Sequence, residues 1–548
     1  MVHQNLFFNR NLSLKTLTEV DIWDVIIVGG GATGLGTALD AASRGFKTLL
    51  LEQSDFAKGT SSRSTKLIHG GVSYLAQGRI SLVYEALKER GLLLKNAPHL
   101  VKMQAFIIPC YGWWDLLKYL IGLKIYDWMA GKYKLGRSTR LSMEKVLELL
   151  PGIKAKGLKG GVEYFDGQFD DARLAVNIAQ TCAEQGGTLL NYVQVKGLIK
   201  SIDGKINGVI ALDLESKSDF KLKARAVVNA AGVFVDDILD MDSPGRKPLV
   251  KASQGVHLVV NKSFLNTEKA IMIPRTADGR VLFAVPWRDH IILGTTDTPL
   301  VNYSLEPAPL REEVDFILQT VAKYLVKAPS RKDVLSVFAG LRPLAATENN
   351  SKRTKEISRS HKIFISSSGL ITITGGKWTT YRKMAEDTVN RIIEVADLKS
   401  VKCLTADIKI HGFPDNQIDT DFSIYGGDKL HIAAIIISDP ELANKLHQNM
   451  PYIQAEVIWA VRNEMARTVE DVLARRLRVL FLNAMVAIEM APKVASLMAR
   501  ELNLEIGWEV EQIKLFTELA KRYLLKSYTI DHTESIVKIQ NPNFKTIN

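Results

Sequence analysis

The chain has 548 residues, 46% hydrophobic and 24% charged, too long for one core and too mixed for a disordered or multi-span membrane protein. Lys and Arg outnumber Asp and Glu by 71 to 59, and the net charge of +12 suits an anionic partner: nucleic acid, an acidic membrane surface or a phosphorylated substrate. Cys110, Cys182 and Cys403 are scattered without disulfide or metal-ligand spacing, which points to a reducing compartment.

The first residues, "MVHQNLFFNRNLSLKTLTE", lack the apolar core and cleavage site of a secretory signal and read as a mature cytosolic start. No stretch reaches the ~18–20 uninterrupted apolar residues of a membrane span. Residues 24–28, "DVIIV", predict a short buried strand. "GGGATG" follows at once, then a helical pattern through "LGTALDAASRG" and a second strand, "TLLLE". This is the context that a dinucleotide fingerprint requires. Gly29, Gly31 and Gly34 permit the tight turn, let the backbone approach a pyrophosphate and let helix lie on strand. Amides at the helix N-terminus then face the phosphates. Glu52 closes the second strand, where it would accept from ribose hydroxyls and repel a 2′-phosphate.

A nicotinamide enzyme would continue into a catalytic domain. Here "EQSDFAKGTSSRSTKLIHGGVSYL" follows, whose Thr60, Ser61, Ser62, Ser64 and Lys66 could hold a cofactor that extends further. Residues 112–134 combine Trp113, Trp114, Tyr119, Tyr126 and Trp128 with Leu116, Leu120 and Leu123, and Lys118, Lys124, Lys132 and Lys134 are interspersed. Such a segment fits either an interfacial helix in the headgroup region or an ordinary packing helix. "GLKGGVEYFDGQFDDARLAVNIAQTCAEQGGTLLNYVQV" reads as strand, loop, helix and strand. "KARAVVNAAGVF" adds a buried strand ending in Asn229, Ala230, Ala231 and Gly232, small enough for a ligand to lie across the sheet. Segments 246–300 and 331–375 alternate like antiparallel strands, with turns at "TADGR" and "PWRDH". "ITITGGKWTTYRKMAEDTV" is a strand, a Gly pair and a helix start. A helix N-terminus there would stabilise the negative charge on a reduced flavin. After residue 398 the strand signal fades, and Ile458, Val461, Met465, Val469 and Val472 predict one face of a helix in a separate C-terminal domain.

The motifs "VGGGATG", "TSSRSTKLIHGG", "VEYFDGQFDDARL", "NAAGVFVD", "QGVHLVV", "FAVPWRDHIILGTTDT", "AGLRPL" and "TGGKWTTYRK", taken in order, carry a resemblance that runs from about residue 22 to 390, with a looser echo in the helical tail. The set resembles the FAD-dependent, quinone-linked (aerobic) glycerol-3-phosphate dehydrogenase family, within the larger group that includes D-amino-acid oxidase. The resemblance implies an α/β fold, α+β overall. A Rossmann-like FAD-binding domain (20–95, 163–245 and 336–398) would join a substrate- and membrane-facing segment (96–162), an antiparallel-sheet substrate domain (246–335) and a C-terminal α-helical domain (399–548). It implies non-covalent FAD, oxidation of sn-glycerol 3-phosphate to dihydroxyacetone phosphate, and electrons passed to a membrane quinone. It adds Leu67, His69, Gly70, Val195, Ala231, Gly232, Gly340, Gly376 and Thr379 to the cofactor residues. With segment 112–134 and the positive charge, it places the protein peripherally on the cytoplasmic face of an anionic membrane, with a homodimer as a further expectation.

Flavin oxidation of a secondary alcohol needs the carbon-bound hydrogen aimed at the flavin, a base near the hydroxyl, and cations for a phosphate. His257 is the candidate base. Arg342 and Lys377 lie on segments expected to converge beside the flavin, and Arg359 is a third cation. The substrate loop holds Ser73 and Tyr74. The family usually reads His-Gly-Gly-Leu/Val-Arg-Tyr-Leu, and its arginine contributes to substrate binding; this chain has "HGGVSYL", with a hydroxyl at Ser73. Losing such a cation contact costs about 1.5–3 kcal/mol. Three readings stay open beside the dehydrogenase: an oxidase of the same family using oxygen, a weakly active or inactive flavin-binding homologue, and an RNA-associated flavoprotein. Only charge suggests the last, and no basic tract with interleaved aromatics supports nucleic-acid binding.

Overall fold

The β-branched run Trp23–Val28 becomes the central strand of a mostly parallel sheet, with Val25, Ile26 and Ile27 fully buried as a strand covered on both faces requires. The computed structural model describes residues 8–75, 78–274, 276, 279–345, 360–414 and 423–525. From edge to edge the strands run 362–365, 371–374, 219–229, 23–28, 48–51 and 188–190. All pairings are parallel except that of the first two. Helices Ala32–Ser43, Asp171–Glu184 and Tyr381–Val395 bury Leu35, Ile178 and Val389 against Val25 and Ile27 on one face. The hairpin of 193–200 and 206–213 packs on the other, against Ile26 and Leu49.

A second sheet, ten-stranded among the described residues, orders its strands 298–300, 250–261, 290–294, 282–287, 270–273, 101–110, 160–169 and 67–68. Strand 334–345 also pairs with 250–261, and 139–141 with 160–169. The domain boundaries expected at 163 and 336 therefore fall inside strands Gly160–Phe169 and Val334–Ala345 of this sheet, where Leu67–Ile68 also pairs. An apolar strand pattern reveals a buried strand but not the sheet it joins.

The helical face expected across 458–472 is broken. Helix Gln454–Asn463 ends before Met465, which takes a φ of 52°; a π-helical turn spans Asp471–Arg476, and Arg478 takes a φ of 73°. Met465 leaves the helical core and packs into the core of the nucleotide-binding sheet. The C-terminal core, around helix Ala484–Leu502, also takes in Val259, Trp287, Ile292 and Phe338 of the second sheet, so the C-terminal helical domain packs directly on that sheet.

Buried charge fixes the junction. Asp55 accepts from Arg475 Nε at 2.5 Å and from both terminal nitrogens of Arg476 at 2.5 and 3.0 Å; Arg173 pairs with Glu464 at 2.7 Å and Arg478 with Asp171 at 2.8 Å. Burial pushes the Asp55 carboxyl up, but the Arg476 and Arg475 guanidiniums outweigh it and the net shift is downward. Breaking a buried pair strands a charge, at about 3–5 kcal/mol, whereas an exposed pair contributes about 0–1 kcal/mol. In urea titrations Arg476→Met should therefore lose several-fold more apparent stability than Arg467→Met, whose partner Glu215 is solvent-accessible. Equal losses would refute a junction held by buried charge.

Candidate active site

Three cavities adjoin one another through shared lining residues. The first, about 590 Å³, follows the carboxyl ends of the parallel strands and is lined by Gly29, Gly31, Glu52, Val195, Ala231 and Gly232 among others. The second, about 230 Å³, shares Thr60, Gly376 and Lys377 with the first. The third, about 330 Å³, shares Thr65, His69, Tyr74 and Arg342 with the second.

The first is shaped for a close backbone approach. A Cβ on Gly29 (φ 112°) would lie 2.6 Å from Ala230 O, and one on Gly34 would lie 1.9 Å from Gly29 O, so no larger residue fits the turn. Gly31 caps helix Ala32–Ser43 with no side-chain bond, while Ala32 N donates to Ser61 Oγ at 2.8 Å. Glu52 does more than face the cavity. Its carboxylate accepts from Gly30 N at 2.6 Å and Ser54 N at 2.8 Å, pinning the glycine turn to the second strand. Burial raises its pKa, and the two amides pull it back.

Along the hydroxyl-rich loop, Thr60 donates to Leu341 O at 2.6 Å and lines the first two cavities. Ser64 and Lys66 differ from expectation. Ser64 Oγ lines the second cavity but donates to Asp171 at 2.7 Å, and the fully buried Lys66 Nζ donates to Asp171 Oδ2 and Ser62 O, each at 2.7 Å. Lys66 lines none of the three cavities and sits 5.3–5.6 Å from the ring centroids of Trp287, Phe338 and Phe481. It holds the loop, not a ligand. Burial pulls its ammonium down to about 7, with Asp171 opposing. Gly70 is likewise structural: its N–H donates to Tyr126 Oη at 2.8 Å, and a Cβ there would lie 2.4 Å from that oxygen.

At the second cavity, Gly375 and Gly376 take φ of 80° and 79° and lead through the turn Trp378–Thr380 into helix Tyr381–Val395. Trp378 Nε1 donates to Ser61 O at 2.9 Å, and Thr379 Oγ1 lies 3.3 Å from the His69 amide, which ties this turn to the hydroxyl loop. Gly340 lines the same cavity; a Cβ there would lie 2.7 Å from Arg63 O. Leu67 lines the second and third cavities. Lys377 Nζ stands 3.9 Å above the Tyr74 ring centroid. Arg342 pairs with Asp297 at 3.2 Å and donates to Thr296 O at 3.0 Å. His257, 3% exposed, stacks on Phe338 and places Nε2 2.8 Å from Thr65 Oγ1. Burial, then the Lys66 and Arg342 cations, hold its pKa well below the ordinary value, so the ring is neutral at pH 7. Ser73 lies on the short helix Val72–Leu75. Its side chain, and all of Arg359, lie outside the described residues.

Sequence reasoning missed Asp166 and Asp171, though both sit in the quoted "VEYFDGQFDDARL". Asp166 pairs with Arg90 at 2.6 Å and accepts from Tyr126 Oη and Gly70 N. Acidic residues flanking a predicted strand were the available signal. Tyr126, Leu116 and Leu123 are buried, so helix Trp113–Ala130 packs inward through them, while Trp113, Trp114 and Trp128 stand outward. The packing reading therefore holds for the inner face, and the outer face leaves its tryptophans exposed.

The family described as "FAD dependent oxidoreductase" matches residues 24–382, and "C-terminal domain of alpha-glycerophosphate oxidase" matches 367–512. A mitochondrial glycerol-3-phosphate dehydrogenase of Macaca fascicularis is 39% identical over 94% of this chain and 75% of its own length. A probable one of Caenorhabditis elegans is 40% identical over 93% and 74%. The solved glycerol-3-phosphate dehydrogenase of Bacillus halodurans, complexed with FAD, superposes with a TM-score of 0.78 at 30% identity, covering 95% of this chain and 99% of that one.

The cavities fit FAD: the glycine cradle and open helix N-terminus suit a pyrophosphate, and the second cavity extends the first past the Gly376 turn. Gly34→Ala should abolish flavin retention. The flavin-to-protein absorbance ratio of purified variant and parent is the check, and equal ratios in a folded variant would remove the cradle from this assignment.

Proposed function

The chain belongs to the FAD-dependent glycerol-3-phosphate dehydrogenase family, and from that premise we propose how its residues divide the oxidation of sn-glycerol 3-phosphate to dihydroxyacetone phosphate. The substrate loses a hydride from its carbinol carbon and a proton from the hydroxyl. FAD, when bound, supplies the acceptor for the hydride. Thr65 lines both the second and third cavities, so its hydroxyl relays the substrate proton to Nε2 of the neutral His257. Arg342, its fork oriented by Asp297, grips a substrate oxyanion at the junction, and Lys377 adds a second cation beside Tyr74. The observation that carries this reading is the shared wall: Arg342 and Tyr74 line both cavities, so an alcohol held there meets the cofactor at its reacting carbon.

Mixing the anaerobic holoenzyme with glycerol 3-phosphate should bleach the flavin absorbance, and equal glycerol should not. His257→Asn should slow that reduction by about 10²–10⁴-fold. Arg342→Ala should raise the KM about 10–100-fold, the loss of one charge-assisted contact. No bleaching in the parent would end this reading.

A membrane quinone is the proposed electron acceptor, reached by peripheral binding to an anionic leaflet on its cytoplasmic side. Three features support this. Trp114 and Trp128 are 84% and 81% exposed on one face of helix Trp113–Ala130 beside Leu117, Ile121 and Ile125; the net charge is +12; and among the described residues no helix is long and apolar enough to cross a membrane. Replacing Trp113, Trp114 and Trp128 with Ser should release the folded protein from anionic liposomes in flotation. Undiminished binding would remove this helix as the anchor. Reoxidation of the reduced flavin faster by air than by a short-chain quinone, with peroxide formed, would favour the oxidase reading instead.

A further inference from the structure

We propose that Arg79 supplies the cation for the phosphate end of the substrate, at the wall of the third cavity, in a chain that carries Ser73 where the family usually has arginine. The proposal rests on the substrate reading above. Three arginines line that cavity: Arg79, Arg280 and Arg342. Arg342 lies at the junction with the second cavity and is committed to Asp297 and to Thr296 O. Arg280 lies with its guanidinium carbon 5.2 Å from the Phe316 ring centroid. Arg79 stands on the same wall as Val72 and Tyr74, and the backbone shows how it gets there.

Gly78 takes a φ of 71° and donates its amide to Leu75 O at 3.0 Å; Arg79 N then donates to Tyr74 O, also at 3.0 Å, before helix Ile80–Asn96 begins. A left-handed glycine turns the chain back on itself, and the closing bond sets Arg79 beside Tyr74. Both carboxylates that line the cavity are already matched, Asp166 by Arg90 and the Tyr126 hydroxyl and Asp297 by Arg342, and among the described residues no carboxylate pairs with Arg79. A phosphate dianion with its alcohol carbon at the Arg342–Tyr74 junction therefore extends toward Arg79. The guanidinium fork suits its oxygens.

The test uses the FAD-loaded protein. Calorimetry should give Arg79→Ala a Kd for dihydroxyacetone phosphate about 10–100-fold weaker than the parent, with plain dihydroxyacetone unchanged. The KM for glycerol 3-phosphate should rise in step, while the limiting rate of flavin reduction stays within about twofold. Arg79→Lys should recover much of the loss. Ser73→Arg placed in the Arg79→Ala background should restore selectivity for the phosphorylated ligand. Arg79→Gln, which keeps most of the stem, repeats the measurement should the alanine variant fail to fold. All comparisons are made at one salt concentration, because phosphate contacts are screened. A parent that glycerol 3-phosphate does not reduce sinks the functional reading. A parent that is reduced, with Arg79 variants whose constants do not move, overturns this proposal alone.

Discussion

At the N-terminus of helix Asp171–Glu184 the two carboxylate oxygens of Asp171 accept from Ser64, Lys66 and Arg478, groups supplied by the cofactor loop and by the C-terminal region. A charge this deep is tolerable only when each oxygen is matched. The loop that carries the site depends on that match. Ser64 is fixed at one end; Lys66 turns through a φ of 63°; Leu67 and Ile68 pair with Gln168 and Gly167 of the second sheet; and Gly70 is fixed at the far end through Tyr126 and Asp166. Two carboxylates of one sequence motif thus clamp both ends of the segment whose Thr65, Leu67 and His69 line both the second and the third cavity. The clamp is ionic rather than apolar, which gives the loop one register where a hydrophobic seam would allow several.

The nucleotide-binding half was legible because its signals are local. Strand, glycine turn, helix and Glu52 fall within one short run, and each glycine answers a contact of the kind the fingerprint implies. Lys66 was misread because a polar side chain near a cofactor loop looks the same in sequence whether it faces a ligand or a buried carboxylate more than a hundred residues away. The arginines of "LARRLRV" look like the solvated face of a helix, yet Arg476 and Arg478 are wholly buried. Their partners, Asp55 and Asp171, lie far back in the chain, and periodicity carries no information about such pairs. The breaks at Met465 and Arg478 were invisible for a related reason: neither residue favours a left-handed backbone, so only the tertiary bonds around them select it.

Helix Trp113–Ala130 shows why composition alone could not separate packing from surface contact. Its inner face buries Leu116, Leu123 and Tyr126, and Tyr126 reaches the backbone of the substrate loop. Its outer face leaves tryptophans in solvent at more exposure than packing needs. One helix therefore has an apolar outer surface and a polar tether to the active-site loop.

The bonds from Asp55 to Arg475 and Arg476 cross 420 and 421 positions of chain, and this has a consequence for biosynthesis. The ribosome releases the glycine turn and its two strands early, but the nearby carboxylate of Asp55 has its counter-charges, Arg475 and Arg476, late in the chain. Until those arginines emerge, Asp55 lacks its guanidinium partners, and burying it would strand a charge. Closure of that junction around Asp55 thus waits on translation of the tail. A chain that terminates before Arg475 leaves a carboxylate just past the second strand without its counter-charge, so a change at the far C-terminus is felt at the nucleotide turn.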